Sequence, residues 1–268
     1  MQALSNEQIM RASPSVFATE PWSDVSDKYS FVPTINVVDC LRNEGFFPVK
    51  AMESKTRTPG KKGYSKHMLR FRQSQYLDNS KVGEEVPEIV LVNSHDRTSG
   101  FALSAGVFRL VCSNGMIVKS SNFGDISVRH SGSDIEGQVV EGSLRIIEDM
   151  PAIINSMNEM KAIQLSSNEQ LAYATAALEL RYPSDDAGNS TSPIAASKLL
   201  QVKRYADNKN DLWTSFNRVQ ENFMKGGLRG INSIGQHTTL RKISSVSEDV
   251  RLNKALWMLT ESMAKLHV

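Results

Sequence analysis

The sequence predicts an α+β fold, with an antiparallel sheet carrying a basic hairpin in the N-terminal half and a helical C-terminal half. Three observations carry that reading. Between residues 46 and 130, short apolar or alternating runs recur between turn residues, which is the pattern of strands. From about Val139 the apolar period lengthens to that of a helix. Strand and helix do not alternate regularly, which separates the chain from parallel nucleotide-binding sheets.

The elements follow in order. The first thirty residues read as turn-rich, broken by Pro14 and Pro21, with Phe17, Trp22 and Tyr29 pinning this arm to a core. Thr34 is placed to cap a short helix whose face carries Val37, Val38 and Leu41, and Gly45 to end it. Phe46 to Met52 reads as an edge strand, because Pro48 has no N–H to give a ladder. Residues 54–63 form a basic turn. In the next strand, Lys66 to Arg72, alternation sets His67, Leu69 and Phe71 on one face and Lys66, Met68, Arg70 and Arg72 on a basic face. Glu88 to Asn93 is apolar enough for a central strand. Phe101–Leu103 and Val107–Val111 suggest more sheet, with a short helix at Ala105–Phe108 as the alternative, and Ile126–His130 is a further short strand.

In the helical half, Val139, Val140, Leu144, Ile147, Met150, Ile154, Met157 and Met160 fit one stripe, which Pro151 should kink or split. Ser166 with Glu169 forms a capping box opening a helix to Leu178 or Leu180. Tyr182 to Pro193 reads as a loop. Ser192 and Pro193 predict a helix to about Ala206, Asp211 another through Lys225 closed by Gly226 and Gly227, and Ser247 a last one to Leu266. The organisation expected is an α+β domain over 1–182, a linker or loop at 183–193, and a helical region over 194–268. No fixed-period repeat appears.

Composition bounds the function. The chain has 268 residues, 40% hydrophobic and 22% charged, which is enough for one large core or two modest ones. No run approaches the ~18 apolar residues of a membrane span, and no basic-then-apolar leader opens the sequence. Cys40 and Cys112, the two cysteines, lie in apolar runs and read as small buried residues. A disulfide between them is not required, and a cytoplasmic location is expected.

Charge is unevenly spread. Residues 42–72 hold nine Lys or Arg against Glu44 and Glu53, net +7; residues 73–197 are net −8; residues 198–242 are net +6. Two basic blocks thus flank an acidic middle. The blocks either pair with that middle or converge to hold a polyanion.

Catalytic motifs are missing. There is no phosphate-binding Gly-x-x-x-x-Gly-Lys-Ser/Thr loop and no nucleophile elbow, and Gly226–Gly230 follows a helix, as a stop signal does. His67, His95, His130, His237 and His267 are spread singly, without zinc-ligand spacing, so no metal or cofactor is expected. Asn93-Ser94-His95-Asp96 is the most enzyme-like cluster; it reads first as a hydrogen-bonded turn, with a hydrolytic dyad helped by His67 or His130, or a carboxylate–imidazole metal site, as the alternatives.

The better candidate is nucleic acid. Lys61, Lys62 and Lys66 surround a Gly-bounded turn and Arg70 and Arg72 extend from one strand, with Tyr64 free to stack on an unpaired base. Arg218 and Lys225 share a helical direction, and Arg229, Arg241 and Lys242 follow in the loop. Partners expected from this pattern are single-stranded DNA, further copies of the chain, or an acidic phage or host protein.

Several strings carry a resemblance: Phe31–Thr34, Lys66–Arg72, Glu88–Asp96, Phe108–Gly115, Val128–His130 and Asn217–Asn222. Together they resemble the phage- and plasmid-associated family of unknown function numbered 932, over most of the chain. That resemblance implies residence in mobile elements, where DNA-handling proteins are common. The element order is also similar to the core of Rad52-like single-strand annealing proteins. This second likeness implies a ring or filament that anneals strands without metal or nucleotide, its groove lined by Lys61, Lys62, Lys66, Arg70 and Arg72 with Arg109 and Arg129.

Overall fold

The computed structural model describes residues 2–22, 30–77, 85–109, 114–119, 125–131, 134–232 and 234–267. Tyr29, Cys112, and Leu110 and Val111 of the expected strand end lie outside them.

The first element is one the sequence reading missed. Helix α1 (Asn6–Ala12) opens on a capping box in which the Ser5 hydroxyl accepts from the Gln8 N–H and the Gln8 side chain returns to the Ser5 N–H. Helix α2 (Thr34–Asn43) buries Val37, Val38 and Leu41 as predicted and ends at Gly45, whose φ of 82° favours glycine. Thr34 is not its cap, however. Pro33 holds that position, and the Thr34 hydroxyl is turned into the core.

The sheet runs in the order β1 (Phe46–Glu53), β2 (His67–Gln73), β3 (Glu85–Asn93) and β4 (Phe101–Arg109), every pair antiparallel. β1 is an edge, and its register shifts between Pro48 and Lys50, where proline cannot donate. β4 is one continuous strand, which removes the helix considered at Ala105–Phe108. Its outer edge is shared: β5 (Asn114–Ile117) pairs its C-terminal half and β6 (Ile126–Val128) its start.

Helix α3 (Ile135–Ala162) passes through Pro151 without splitting. Its buried stripe is Ile135, Val139, Ile146, Met150, Ile153, Met157 and Met160, while Leu144 and Ile154 are exposed. The predicted stripe holds at Val139, Met150, Met157 and Met160 and misses at Leu144 and Ile154. The true one uses Gly142 and Ser143 as well, because Gly142 lets the helix approach Leu103 and Ile126.

Helix α4 (Ser167–Glu179) has the predicted capping box, and α5 (Leu212–Lys225) is capped by Asp211, whose carboxylate accepts from the Thr214 N–H at 2.8 Å. The predicted helix from Pro193 to Ala206 is absent. Two short 3-10 turns, Ala196–Leu200 and Tyr205–Asp207, replace it, because the Ser192 hydroxyl closes a local turn with Ile194. The expected 226–242 loop contains a hairpin, β7 (Arg229–Ile231) with β8 (His237–Thr239). Helix α6 (Val246–Lys265) ends the chain with Glu248 and Asp249 in its first turn.

The chain divides into two compact units, one of residues 1–150 with 245–247 and one of 151–244 with 248–268. The division falls inside α3, and the 183–193 loop lies within the second unit. The first unit's core is the sheet with α2. The second unit's core centres on α5, whose Trp213 stacks on Phe216 at 5.4 Å and meets Trp257 edge-on at 6.3 Å. No helix among the described residues is long and apolar enough to cross a membrane. Cys40 is a free thiol, half-buried, its pKa raised by burial.

Candidate nucleic-acid interface

The link from β1 to β2 is the most cationic segment of the chain. Residues 54–66 contain Lys55, Arg57, Lys61, Lys62 and Lys66 and no carboxylate. Its root is fixed by backbone bonds: Ser54 N–H to the Lys66 carbonyl at 2.8 Å, and His95 N–H to the Tyr64 carbonyl at 3.1 Å. Lys61 acts as an anchor, its ammonium 3.4 Å from the Asp96 carboxylate and 4.6 Å from the Trp22 ring centre. Lys55, Arg57 and Lys62 are exposed and Lys66 half-buried, and none has an ion-pair partner among the described residues. Tyr64 is half-buried beside them.

Several predicted site residues lie elsewhere. Arg70 and Arg72 do not form a basic surface: each is 1% exposed. Both donate to Glu88 on β3, itself 1% exposed, with Arg72 Nε 2.7 Å from its carboxylate. Arg70 also reaches the Met116 carbonyl at 2.6 Å, and Arg72 lies 4.0 Å from the Phe108 ring centre. A charged face of a strand meets solvent only where the sheet leaves that face open, and here it is covered. Gly115 is part of the same packing. A Cβ there would lie 2.2 Å from the Arg70 guanidinium carbon, and that guanidinium is pinned at both ends. Gly115→Ala is therefore expected to destabilise the chain by about 1–3 kcal/mol, measured as a lower urea midpoint with unchanged slope.

Arg109 is buried on β4. Arg218 is buried on α5, donating to Gln170 at 2.9 Å and to the Lys209 carbonyl at 3.0 Å. Lys225 is exposed but paired with Glu221 at 2.9 Å. Helical spacing gave Arg218 and Lys225 a shared direction but could not say that α5 is buried along nearly its whole length. Arg129, Arg229, Arg241 and Lys242 are exposed.

The fold also gathers three histidines that the sequence leaves apart. His67 and His95 rings are 5.4 Å apart and His95 and His130 rings 6.3 Å. The Thr34 hydroxyl oxygen lies 2.9 Å from His67 Nε2 and 3.0 Å from His95 Nε2 and accepts from the Asn93 amide at 3.0 Å. Asn93 Oδ1 lies 2.8 Å from His130 Nε2. One proton arrangement satisfies this set. His67 gives its Nδ1–H to the Ser65 carbonyl, so its Nε2 accepts from Thr34, and Thr34 in turn accepts from His95 and Asn93. Burial pushes His67 down to about 4, and burial with the two neighbouring imidazoles pushes His95 to about 3; burial lowers His130 also. The three are neutral core groups.

The alternative His95–Asp96 dyad does not form. The His95 ring turns inward to Thr34, while Asp96 accepts from the Thr98 hydroxyl at 2.6 Å and meets Lys61. Burial alone would raise the Asp96 carboxyl, but hydrogen bonds from Thr98 and Ser94 and the Lys61 charge hold it below the usual carboxylate range. This is the turn reading of the Asn-Ser-His-Asp string. Among the described residues no three His, Cys, Asp or Glu side chains are placed to hold a metal ion.

Fold and site together define a mixed chain, an N-terminal antiparallel sheet with a cationic β1–β2 loop and a closed imidazole network, followed by helices. The family described as a domain of unknown function, DUF932, matches residues 21–257, and the chain belongs to it. Two proteins of Escherichia coli (strain K12), the UPF0380 proteins YafZ and YfjQ, are each 38% identical to it over 260 residues, covering 97% of this chain and 91% of theirs. No solved structure matches, and the likeness to annealing proteins is without support.

Proposed function

We propose that the chain is a non-enzymatic nucleic-acid-binding protein that holds single-stranded DNA by its phosphates through the β1–β2 loop. The observation carrying this reading is the set of four cations, Lys55, Arg57, Lys62 and Lys66, without an ion-pair partner among the described residues, on a carboxylate-free loop with a fixed root. An unpaired cation keeps its whole charge for a ligand, and each phosphate it neutralises releases condensed counterions. Tyr64 supplies an aromatic edge for a base. The anchoring of Lys61 by Asp96 and Trp22 supports a loop that presents its charges without first having to order.

The test is a salt titration of fluorescence anisotropy with labelled oligothymidylate. Four contacts give a log–log slope of about −3 on single strands, a loss of about fiftyfold between about 50 and about 200 mM salt. Replacing Lys55, Arg57, Lys62 and Lys66 by Ala should remove most of that slope while leaving the thermal midpoint in place. Absence of binding at the lower salt, or a slope indifferent to the four replacements, would overturn the reading.

A further inference from the structure

We infer that the second unit carries a separate nucleotide-phosphate site, in the groove between the β7–β8 hairpin and the turn at Ala196–Leu200. The groove measures about 380 Å³ and is lined by Ala195, Lys198, Arg229, Gly230, Ile231 and His237. That volume is within the range of small-molecule sites, roughly 300–1,000 Å³.

Its walls are set by the hairpin's register. Ile231 pairs directly with His237, and Arg229 is two residues before Ile231, so the three share one face of the ribbon. The opposite face is seated: Thr238 donates its hydroxyl to the Pro193 carbonyl, and a Cβ on Gly230 would come within 2.8 Å of that same oxygen. Only glycine lets the ribbon approach so closely, and the contact fixes where Arg229 and His237 stand. Lys198 comes from the neighbouring turn. None of the Lys198, Arg229 and His237 side chains has a hydrogen-bond or ion-pair partner among the described residues.

The chemistry of the lining selects the ligand. An arginine fork and a lysine ammonium suit a phosphate, and the imidazole can add an N–H or accept one. Ile231, 57% exposed, gives an apolar wall beside the charge. A phosphate joined to a flat apolar body, a nucleotide unit, uses both features, whereas a bare anion leaves Ile231 uncovered. The unit is either free or part of a strand. If it is part of a strand, the inference rests on the DNA-binding reading and adds a second contact to it.

The experiment measures binding of thymidine monophosphate to the full chain by calorimetry, with thymidine as the phosphate-free control. The nucleotide is expected to bind and thymidine not to. Lys198→Ala with Arg229→Ala should weaken the nucleotide about tenfold or more, the loss of two charge-assisted bonds. The β1–β2 loop variant should bind it unchanged. Arg229 is exposed and Lys198 half-buried, and neither side chain has a partner among the described residues, so the fold should tolerate both changes. No binding of the nucleotide, equal binding of thymidine, or binding that survives the double replacement overturns the site. Oligothymidylate separates the two readings. If wild type binds the nucleotide and no oligomer, the groove stands as a free-nucleotide site and the DNA-binding proposal fails. If the oligomer binds and the nucleotide does not, the groove fails alone.

Discussion

Glu88→Gln is expected to cost the chain about 3–5 kcal/mol, a large share of any domain's stability, although it changes one atom type on a fully covered side chain. Arg70 and Arg72 both direct their Nε–H groups at that carboxylate, and all three residues are 1% exposed. Guanidinium does not lose its proton in a protein, so removing the negative charge leaves two cations in the core with no route to neutrality. The cluster is already short of acceptors: neither terminal nitrogen of Arg72 has a hydrogen-bond partner among the described residues, and the guanidinium lies over the face of Phe108 at 4.0 Å. Urea unfolding is the measurement, with soluble yield as a first sign. A control separates charge from packing. Replacing Arg70 and Arg72 by Met and Glu88 by Leu together removes every charge at similar volume, and should recover most of the loss. A Gln variant within 1 kcal/mol of the parent would show that Glu88 does not hold the two arginines.

That cluster also shows where sequence reading stops. Alternation along β2 separated Arg70 and Arg72 from His67, Leu69 and Phe71 correctly. It then equated the charged face with the wet one. The correction was in the neighbouring strand, where Glu88 interrupts an apolar run, but linking it to Arg72 requires knowing that Phe71 pairs with Ile89. The histidines pose the same problem. His67 meets Asn93 only through the β2–β3 register, and His130 arrives only because β6 pairs with the start of β4. Local signals fared better, since a capping box is complete within four residues. Ser166–Glu169, Asp211 and the Gly226 stop all lie where predicted. The box at Ser5–Gln8 was equally readable and would have disclosed α1. The helix predicted after Pro193 failed because a serine before a proline also closes a turn. The cations of 54–66 needed only composition, yet which of them is paired is a property of the fold: Lys61 meets Asp96, while Lys55, Arg57, Lys62 and Lys66 meet no carboxylate among the described residues.

Mild acid should loosen the first unit selectively, and the histidine network sets both the direction and the window. His67 and His95 have folded values near 4 and 3, below the 6.5 of an unfolded chain. Between pH 6.5 and those values the unfolded chain binds more protons, so stability falls as pH falls. The contribution is whole above about pH 6.5 and shrinks by up to about 1.4 kcal/mol per pH unit for each histidine below it. Two groups together should lose about 4 kcal/mol between pH 7 and pH 5, with His130 adding in the same direction. Asp96 does not interfere, because its depressed carboxyl loses its contribution only below the ordinary value of 3.8. Thr34 offers no relief. Its single hydroxyl proton is given to His67, so a proton arriving on His67 Nε2 turns an accepted bond into two donors facing each other until the hydroxyl rotates away. Hydrogen exchange read by mass spectrometry localises the effect. After correction for the intrinsic rate, protection of β2 and β3 amides should drop between pH 7 and pH 5 by more than that of α5, which lies in the other unit. Equal protection of β2 and β3 at both pH values would show that these imidazoles take up protons without strain, and that the neutral network is not what holds the ends of the strands together.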